Sequence, residues 1–304
     1  MIQTQFPFPV IAIGNLEMGG SGKTPMSDFL IEKLHSRFKI AYLSRGYKRE
    51  SKGFVLANEN TGLAELGDEN YMLFQKWKDK VVFAVDANRK EGIEKLKVSH
   101  PEIDLILLDD AMQHRWVKPK ICIQLSPFDT PFFRNYVFPS GTLRDNKQEY
   151  KRADFLIFTK AKIADKENLN AILLDMKQNG IVHEQVFVSN IQYLRPVNQA
   201  LKRLELNSEV VAVSGLANNL PFFEMVKSVY SVQKVISKSD HYGYLPNFFA
   251  ENGLNGKTIL CTEKDFYKLI AIAPEPDLIY YLPISIQIYP EQKFLTKLDE
   301  AIYS

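Results

Sequence analysis

The sequence predicts an α/β protein: an αβα core on a mostly parallel sheet, followed by a smaller αβα second lobe. Apolar runs of strand length alternate with helical patterns through most of the chain. The first run opens into a glycine-rich turn ending in Gly-Lys-Thr, and a second alternation starts after residue 205.

The elements follow in order. "FPVIAIG" is the first strand, and a helix is expected over Pro25 to Phe38. "KIAYLS", "KVVFAVD", "IDLILLDD", "KICIQLS" and "DFLIFTK" are continuous apolar runs, the pattern of strands covered on both faces. "DKENLNAILLDMKQNG" has helical spacing and stops at Gly180, a suitable C-cap. "EQVFVSNIQYLRPVNQ" reads as a pair of exposed strands or a linker. The second alternation comprises "SEVVAVSGLANN", the helix "PFFEMVKSVY", "QKVISKSDHYGY", "KTILCTEKD", "DLIYYLPISIQI" and a closing helix from Glu291. The expected organisation is a first lobe over 1–184, a linker over 185–205 and a second lobe over 206–304, with the last helix packing back on the first lobe.

With 304 residues, 45% of them apolar, the chain can bury such a core. Its net charge of +2 comes from acids and bases dispersed along the sequence, so no nucleic-acid arm is present. Cys122 and Cys261 lie inside apolar runs and read as buried thiols rather than a disulfide or metal site. No apolar run reaches the roughly 18 residues of a membrane span, and the first ten residues lack the pattern of a signal peptide. A monomer is expected.

In "GNLEMGGSGKTPM", Gly14 to Met26, backbone N–H groups of a strand-loop-helix turn can cradle phosphate. The lysine reaches the outer phosphates and the next hydroxyl holds Mg²⁺. A glycine-rich turn with an incidental lysine is the bland alternative; strand, loop and helix in the required order favour a P-loop NTPase-like ATP site. Glu17, Met18, Gly19, Gly20, Ser21, Gly22, Lys23 and Thr24 are its candidate ATP contacts. Glu17 stands where the strict pattern has glycine, so a different turn must replace it. Partitioning-type ATPases, nucleotide switches acting through a protein partner, carry a lysine where this chain has Met18, which demotes that class. "DLILLDD" ends in Asp109 and Asp110. Such a pair alone is often a helix cap, but beside a phosphate loop it suits Mg²⁺.

The ordered set "PVIAIGNLEMGGSGKTP", "LSRGYKR", "GDENYML", "LLDDAMQH", "FPSGTLRD", "SGLANN", "SDHYGY" and "TEKDFYKL" resembles the tetraacyldisaccharide 4'-kinases, the lipid A 4'-kinases of Gram-negative bacteria, from Pro9 to about Leu269. That family also lacks the first glycine of the strict loop. The resemblance implies transfer of the γ-phosphoryl group of ATP, with Mg²⁺, to the 4'-hydroxyl of an acylated disaccharide 1-phosphate, giving lipid IVA. It implies peripheral contact with the cytoplasmic side of the inner membrane. It assigns Asp68 as catalytic base, paired with His241 of the second lobe across a closing cleft. Lys23 and Asp110 are expected to act in catalysis, and Thr24 and Asp109 at the metal. Taken alone, Asp68 suits a helix N-cap and His241 a surface loop.

Substrate contacts are expected from Ser44, Arg45 and Tyr47, which follow a strand as a cation and an aromatic would to meet phosphate and sugar, and as a solvated turn equally would. Glu69, Gln113, His114 and Arg144 are further candidates. Arg89 matches a basic family position at a helix start, where solvation is the default. Thr262, Lys264 and Asp265 suit a helix cap. The family's "DDGFQH" is here "DDAMQH", with Ala111 in the glycine position. Its Arg-Asp pair and following Asp have no counterparts around "VKPKICIQLSPFD". Members begin with an anchoring segment, whereas here the first strand is reached by Phe8. The aromatic-rich "SPFDTPFFRNYVF" is a candidate for membrane contact, through Phe132 and Phe133.

Overall fold

A computed structural model describes residues 3–304, which form two compact units. Unit one runs up to Gln192 and resumes over Ser285–Ser304; unit two is Tyr193–Ile284.

Through unit one the chain forms β1 (Val10–Asn15), α1 (Lys23–Leu34), β2 (Ile40–Ser44), β3 (Val55–Leu56), α2 (Leu63–Leu66) and α3 (Asp68–Trp77). It continues with β4 (Val82–Val85), α4 (Arg89–Ser99), β5 (Leu105–Asp109), β6 (Ile121–Pro127), β7 (Phe155–Thr159), α5 (Lys166–Gln178) and β8 (Val186–Tyr193). Next come β9 (Glu209–Ser214), α6 (Leu220–Val229), β10 (Ser231–Ser237), α7 (Phe248–Asn252), β11 (Ile259–Thr262), α8 (Glu263–Ile270) and β12 (Ile279–Leu282). The chain closes with β13 (Ile284–Tyr289) and α9 (Glu291–Tyr303).

Unit one is built on a nine-stranded sheet in the order β13-β8-β7-β6-β1-β5-β2-β4-β3. β1 pairs in parallel with both β5 and β6, and the two-residue β3 is antiparallel to its neighbour β4. Every residue of β1, β2, β5 and β7 is buried, as continuous apolar runs require of strands covered on both faces. Asn15 and Asp109 therefore arrive together at the carboxyl ends of adjacent central strands, where parallel sheets gather ligands.

Two expectations change here. The segment 185–205 is not a pair of exposed strands: Val186 to Ser189 are buried, and β8 pairs in parallel with β7 through Leu156, Ile157 and Phe158. Polar flanks conceal this short apolar stretch. "DLIYYLPISIQI" divides at Pro283, which has no N–H for a ladder; β12 belongs to the unit-two sheet and β13 to the unit-one sheet. The closing helix α9 lies in unit one, where Phe294, Leu298 and Ile302 join the core with Phe155 and Phe187. Lys33–Glu291 (2.8 Å) and Arg37–Asp299 (2.9 Å) flank that packing.

Phe132 and Phe133, expected to face a membrane, are 0% and 3% exposed and pack with Tyr150 and Phe158. Residues 132–134 form a 3₁₀ turn that aims both rings inward.

Unit two carries a four-stranded sheet, β10-β9-β11-β12, with all its pairs parallel. Thr262 ends β11 and caps α8, its hydroxyl accepting from the Asp265 N–H.

Candidate active site

The phosphate loop leaves β1 as extended backbone, which explains the absent glycine. Glu17 bridges Leu143 antiparallel, between Arg144 N–H to Leu16 C=O (2.7 Å) and Met18 N–H to Thr142 C=O (2.6 Å). Extended backbone accepts any L-residue, so glycine is needed only further along, at Gly19 and Gly22, with φ of 109° and 89°. Glu17 also corrects an expectation, because its side chain does not face phosphate. It is 4% exposed, and one oxygen accepts from the Ser126 hydroxyl, which itself accepts from the Phe132 N–H. Burial raises its pKa, against the lowering effect of Ser126. Met18 remains exposed.

Below the turn, Thr159 donates to the Ser21 carbonyl at 2.8 Å and Lys160 to the Gly20 carbonyl at 2.5 Å. Sequence reasoning treated both only as the end of a strand. Gly22 caps α1, so Lys23 and Thr24 form its first turn, where free N–H groups and the helix dipole favour an anion.

Lys23 Nζ donates to Asn15 Oδ1 (3.2 Å) and lies 3.5 Å from Asp110. Arg144 grips Asp110 with two hydrogen bonds and donates to Asn15 Oδ1 at 2.6 Å. Burial would raise the Asp110 pKa, but Arg144 and Lys23 outweigh it and hold the carboxyl at about 2. Asp109 behaves oppositely: burial raises it to about 6 despite Lys23, and its Oδ1 has no hydrogen-bond partner among the described residues.

The positive φ of this turn falls on Asp110, at 48°, and not on Ala111, so the family's glycine is not required there. Met112 is buried against the loop base; a Cβ on Gly14 would meet its Cγ at 2.6 Å. Gln113 donates to the Asn15 carbonyl at 2.9 Å. His114 accepts from the Arg89 N–H at 3.4 Å, and burial together with Arg89 lowers its pKa.

Arg89 is not the solvated helix opener that its position suggests. It is 2% exposed and donates to the carbonyls of Asp86, Ala87, Asp109 and Asp110. A sequence shows no signal for a guanidinium that reaches back to a strand twenty residues away.

Asp68 and Glu69 open α3 after Gly67, whose φ is 82° and whose hypothetical Cβ would lie 2.7 Å from the Tyr47 carbonyl. Glu69 accepts from the Thr24 hydroxyl at 2.5 Å, which brings the Asp68 turn beside the phosphate loop. Ser44 is buried and accepts from Gly46 N–H, so it shapes the turn instead of facing a ligand. Arg45, Tyr47, Lys48, Arg49 and Lys52 line an open hollow of about 430 Å³.

Unit two holds His241 at φ 61°, with Lys264 donating to Asp240 at 2.6 Å and lying 3.4 Å from the imidazole. Asp265 is fully buried and accepts from Gly215 N–H, Thr262 and Tyr244.

Among the described residues, no group of three or more His, Cys, Asp or Glu side chains converges on a metal position. Magnesium takes most of its ligands from water and phosphate, and needs only one or two protein oxygens. The unpartnered Asp109 Oδ1, the Thr24 hydroxyl and Glu69 are hard oxygen donors of that kind. Among the described residues no helix is long and apolar enough to cross a membrane.

A family model described as tetraacyldisaccharide-1-P 4'-kinase matches residues 1–303. A tetraacyldisaccharide 4'-kinase of Flavobacterium johnsoniae is 37% identical over 297 residues, 96% of this chain and 86% of that protein. One of Bacteroides thetaiotaomicron is 34% identical over 314 residues, 95% of this chain and 82% of that protein. The crystal structure of LpxK from Aquifex aeolicus in complex with ATP is similar at a TM-score of 0.78 and 26% identity, covering 100% of this chain and 91% of that one. By the match of that family model along the whole chain and by these relatives, the chain belongs to the tetraacyldisaccharide 4'-kinase family of ATP-dependent kinases.

Proposed function

We propose that unit one carries out the family's transfer as follows. Backbone N–H groups from Gly19 to Thr24 and the Lys23 ammonium hold the outer phosphates of ATP. Asp68 accepts the proton of the 4'-hydroxyl of tetraacyldisaccharide 1-phosphate. As it does so, that oxygen bonds to the γ-phosphorus, the bond to the β–γ bridging oxygen breaks, and ADP departs. Asp110, expected in catalysis, serves as a positioning group whose oxygens aim Arg144 and Lys23. Mg²⁺ bound through Thr24 and Asp109 would neutralise charge on the phosphates. Arg45 and Tyr47 are substrate contacts.

The observation that carries this reading is the Thr24–Glu69 hydrogen bond, because it joins the α3 turn bearing Asp68 to the loop bearing Lys23. The protein works as a monomer in peripheral contact with the cytoplasmic side of the inner membrane, where an acylated substrate resides. A partitioning-type ATPase is not favoured: Met18 replaces that class's lysine, and the kinase family spans the chain.

The test incubates purified protein with γ-labelled ATP, Mg²⁺ and the acylated disaccharide 1-phosphate in detergent. Label should move to lipid. Protein that binds ATP yet labels no lipid would defeat the reading.

A further inference from the structure

The loop that braces the phosphate loop also presents an apolar tip. Tyr136, Val137 and Phe138 are 66%, 48% and 66% exposed, and Met18, hydrogen-bonded to the same loop, is 45% exposed. Consecutive large apolar side chains in water are unfavourable unless something covers them.

The tip is ordered. Asn135 Oδ1 accepts from the N–H groups of Tyr136 (2.8 Å) and Thr142 (3.1 Å), and its Nδ2 donates to the Thr142 hydroxyl (2.7 Å). Leu143 N–H donates to Tyr136 C=O, and Phe138 N–H to Leu143 C=O. Gly141 permits the close approach, since a Cβ there would lie 2.4 Å from the Tyr136 carbonyl. With Phe132 and Phe133 buried beneath, the outward rings are held out by the hairpin.

A cation flanks them. Lys147 Nζ sits 5.7 Å from the Tyr136 ring centroid and donates to the Phe133 carbonyl, with no carboxylate partner among the described residues. Amphipathic aromatics beside an unneutralised ammonium suit the boundary between acyl chains and anionic headgroups. The tip is also continuous with the phosphate loop through Met18, so a surface holding it lies next to the reaction.

We propose that the Tyr136–Val137–Phe138 tip, with Lys147, docks onto an anionic phospholipid bilayer. The choice of a bilayer rests on the kinase reading, but the vesicle-partition assay uses neither ATP nor acceptor, so failure of one leaves the other standing.

The full chain is mixed with vesicles of phosphatidylethanolamine and phosphatidylglycerol, and separately of phosphatidylcholine, and sedimented. Wild type should partition to the anionic vesicles. Y136S/F138S should lose at least roughly tenfold in partition coefficient, and K147Q several-fold on anionic vesicles only. Both should melt and bind ATP as wild type does. F138W, a milder change, should blue-shift its emission on vesicle addition and be quenched by brominated lipid. Unchanged partitioning of the double variant overturns the proposal. So does an unshifted F138W spectrum, or a dimer that this variant dissociates without any vesicle binding. Intact vesicle binding with a raised acceptor KM in detergent also overturns it, since the tip would then hold only the acceptor's acyl chains.

Discussion

The guanidinium of Arg144 holds both carboxylate oxygens of Asp110, at 2.8 and 3.1 Å, and the same nitrogen that makes the shorter bond also donates to Asn15. The fork joins the end of β1, the turn after β5 and the hairpin that braces the phosphate loop. Lysine keeps the charge but cannot span three acceptors. R144K should lower kcat/KM for ATP by about tenfold and R144A by about a hundredfold, with melting temperatures near wild type. A wild-type rate for R144K would remove the fork from the mechanism.

Arg89 satisfies four backbone carbonyls from a buried position. Methionine fills similar space without donors. R89M should lose about 2–4 kcal/mol in urea unfolding. A loss below about 0.5 kcal/mol would mean that these carbonyls find other partners.

Asp109 has a raised pKa, near 6, because burial penalises its charge. The folded state therefore binds this proton more tightly than the unfolded state. The group favours folding at low pH and loses that contribution as pH climbs from about 4 to about 6. D109N should gain on wild type across that window and remain up to about 3 kcal/mol more stable at pH 8, while losing activity. Asp110, lowered to about 2, works the other way, its contribution vanishing as pH falls through that value. Parallel stability curves for D109N and wild type between pH 4 and 8 would contradict the assignment.

Restoring the strict loop pattern with E17G should harm the protein. The substitution deletes the buried link to Ser126 and loosens an extended bridge, costing about 1–3 kcal/mol and raising the KM for ATP. E17Q keeps the shape and should stay within about 1 kcal/mol of wild type. An E17G protein that melts higher would show that the bridge is dispensable.

Asp68 and Lys23 should separate chemistry from binding. D68A should cut turnover by about a hundredfold or more with ATP affinity nearly intact, whereas K23A should weaken phosphate binding or transfer. Isothermal titration beside single-turnover labelling distinguishes them. Wild-type turnover in D68A would end its candidacy as base.

The phosphate loop, the Asp-Asp strand end and most strands were legible in the sequence, because each is a local pattern: an apolar run, a glycine at a forced turn, a cap. β8 was not, since its four buried residues sit between polar flanks. Nor was the inward turn of Phe132 and Phe133, because an aromatic beside proline carries no mark of which way its ring faces.

Sequence alone determined the α/β class, the phosphate loop and, through its ordered motifs, the kinase family. Tertiary structure decided where each polar group points: Glu17 inward to Ser126, Arg89 onto the carbonyls of Asp109 and Asp110, and Thr24 toward Glu69, forty-five residues away. Chain-local chemistry sets which backbone shapes are allowed. Partners distant in sequence exist only once parallel strands have brought their ends together.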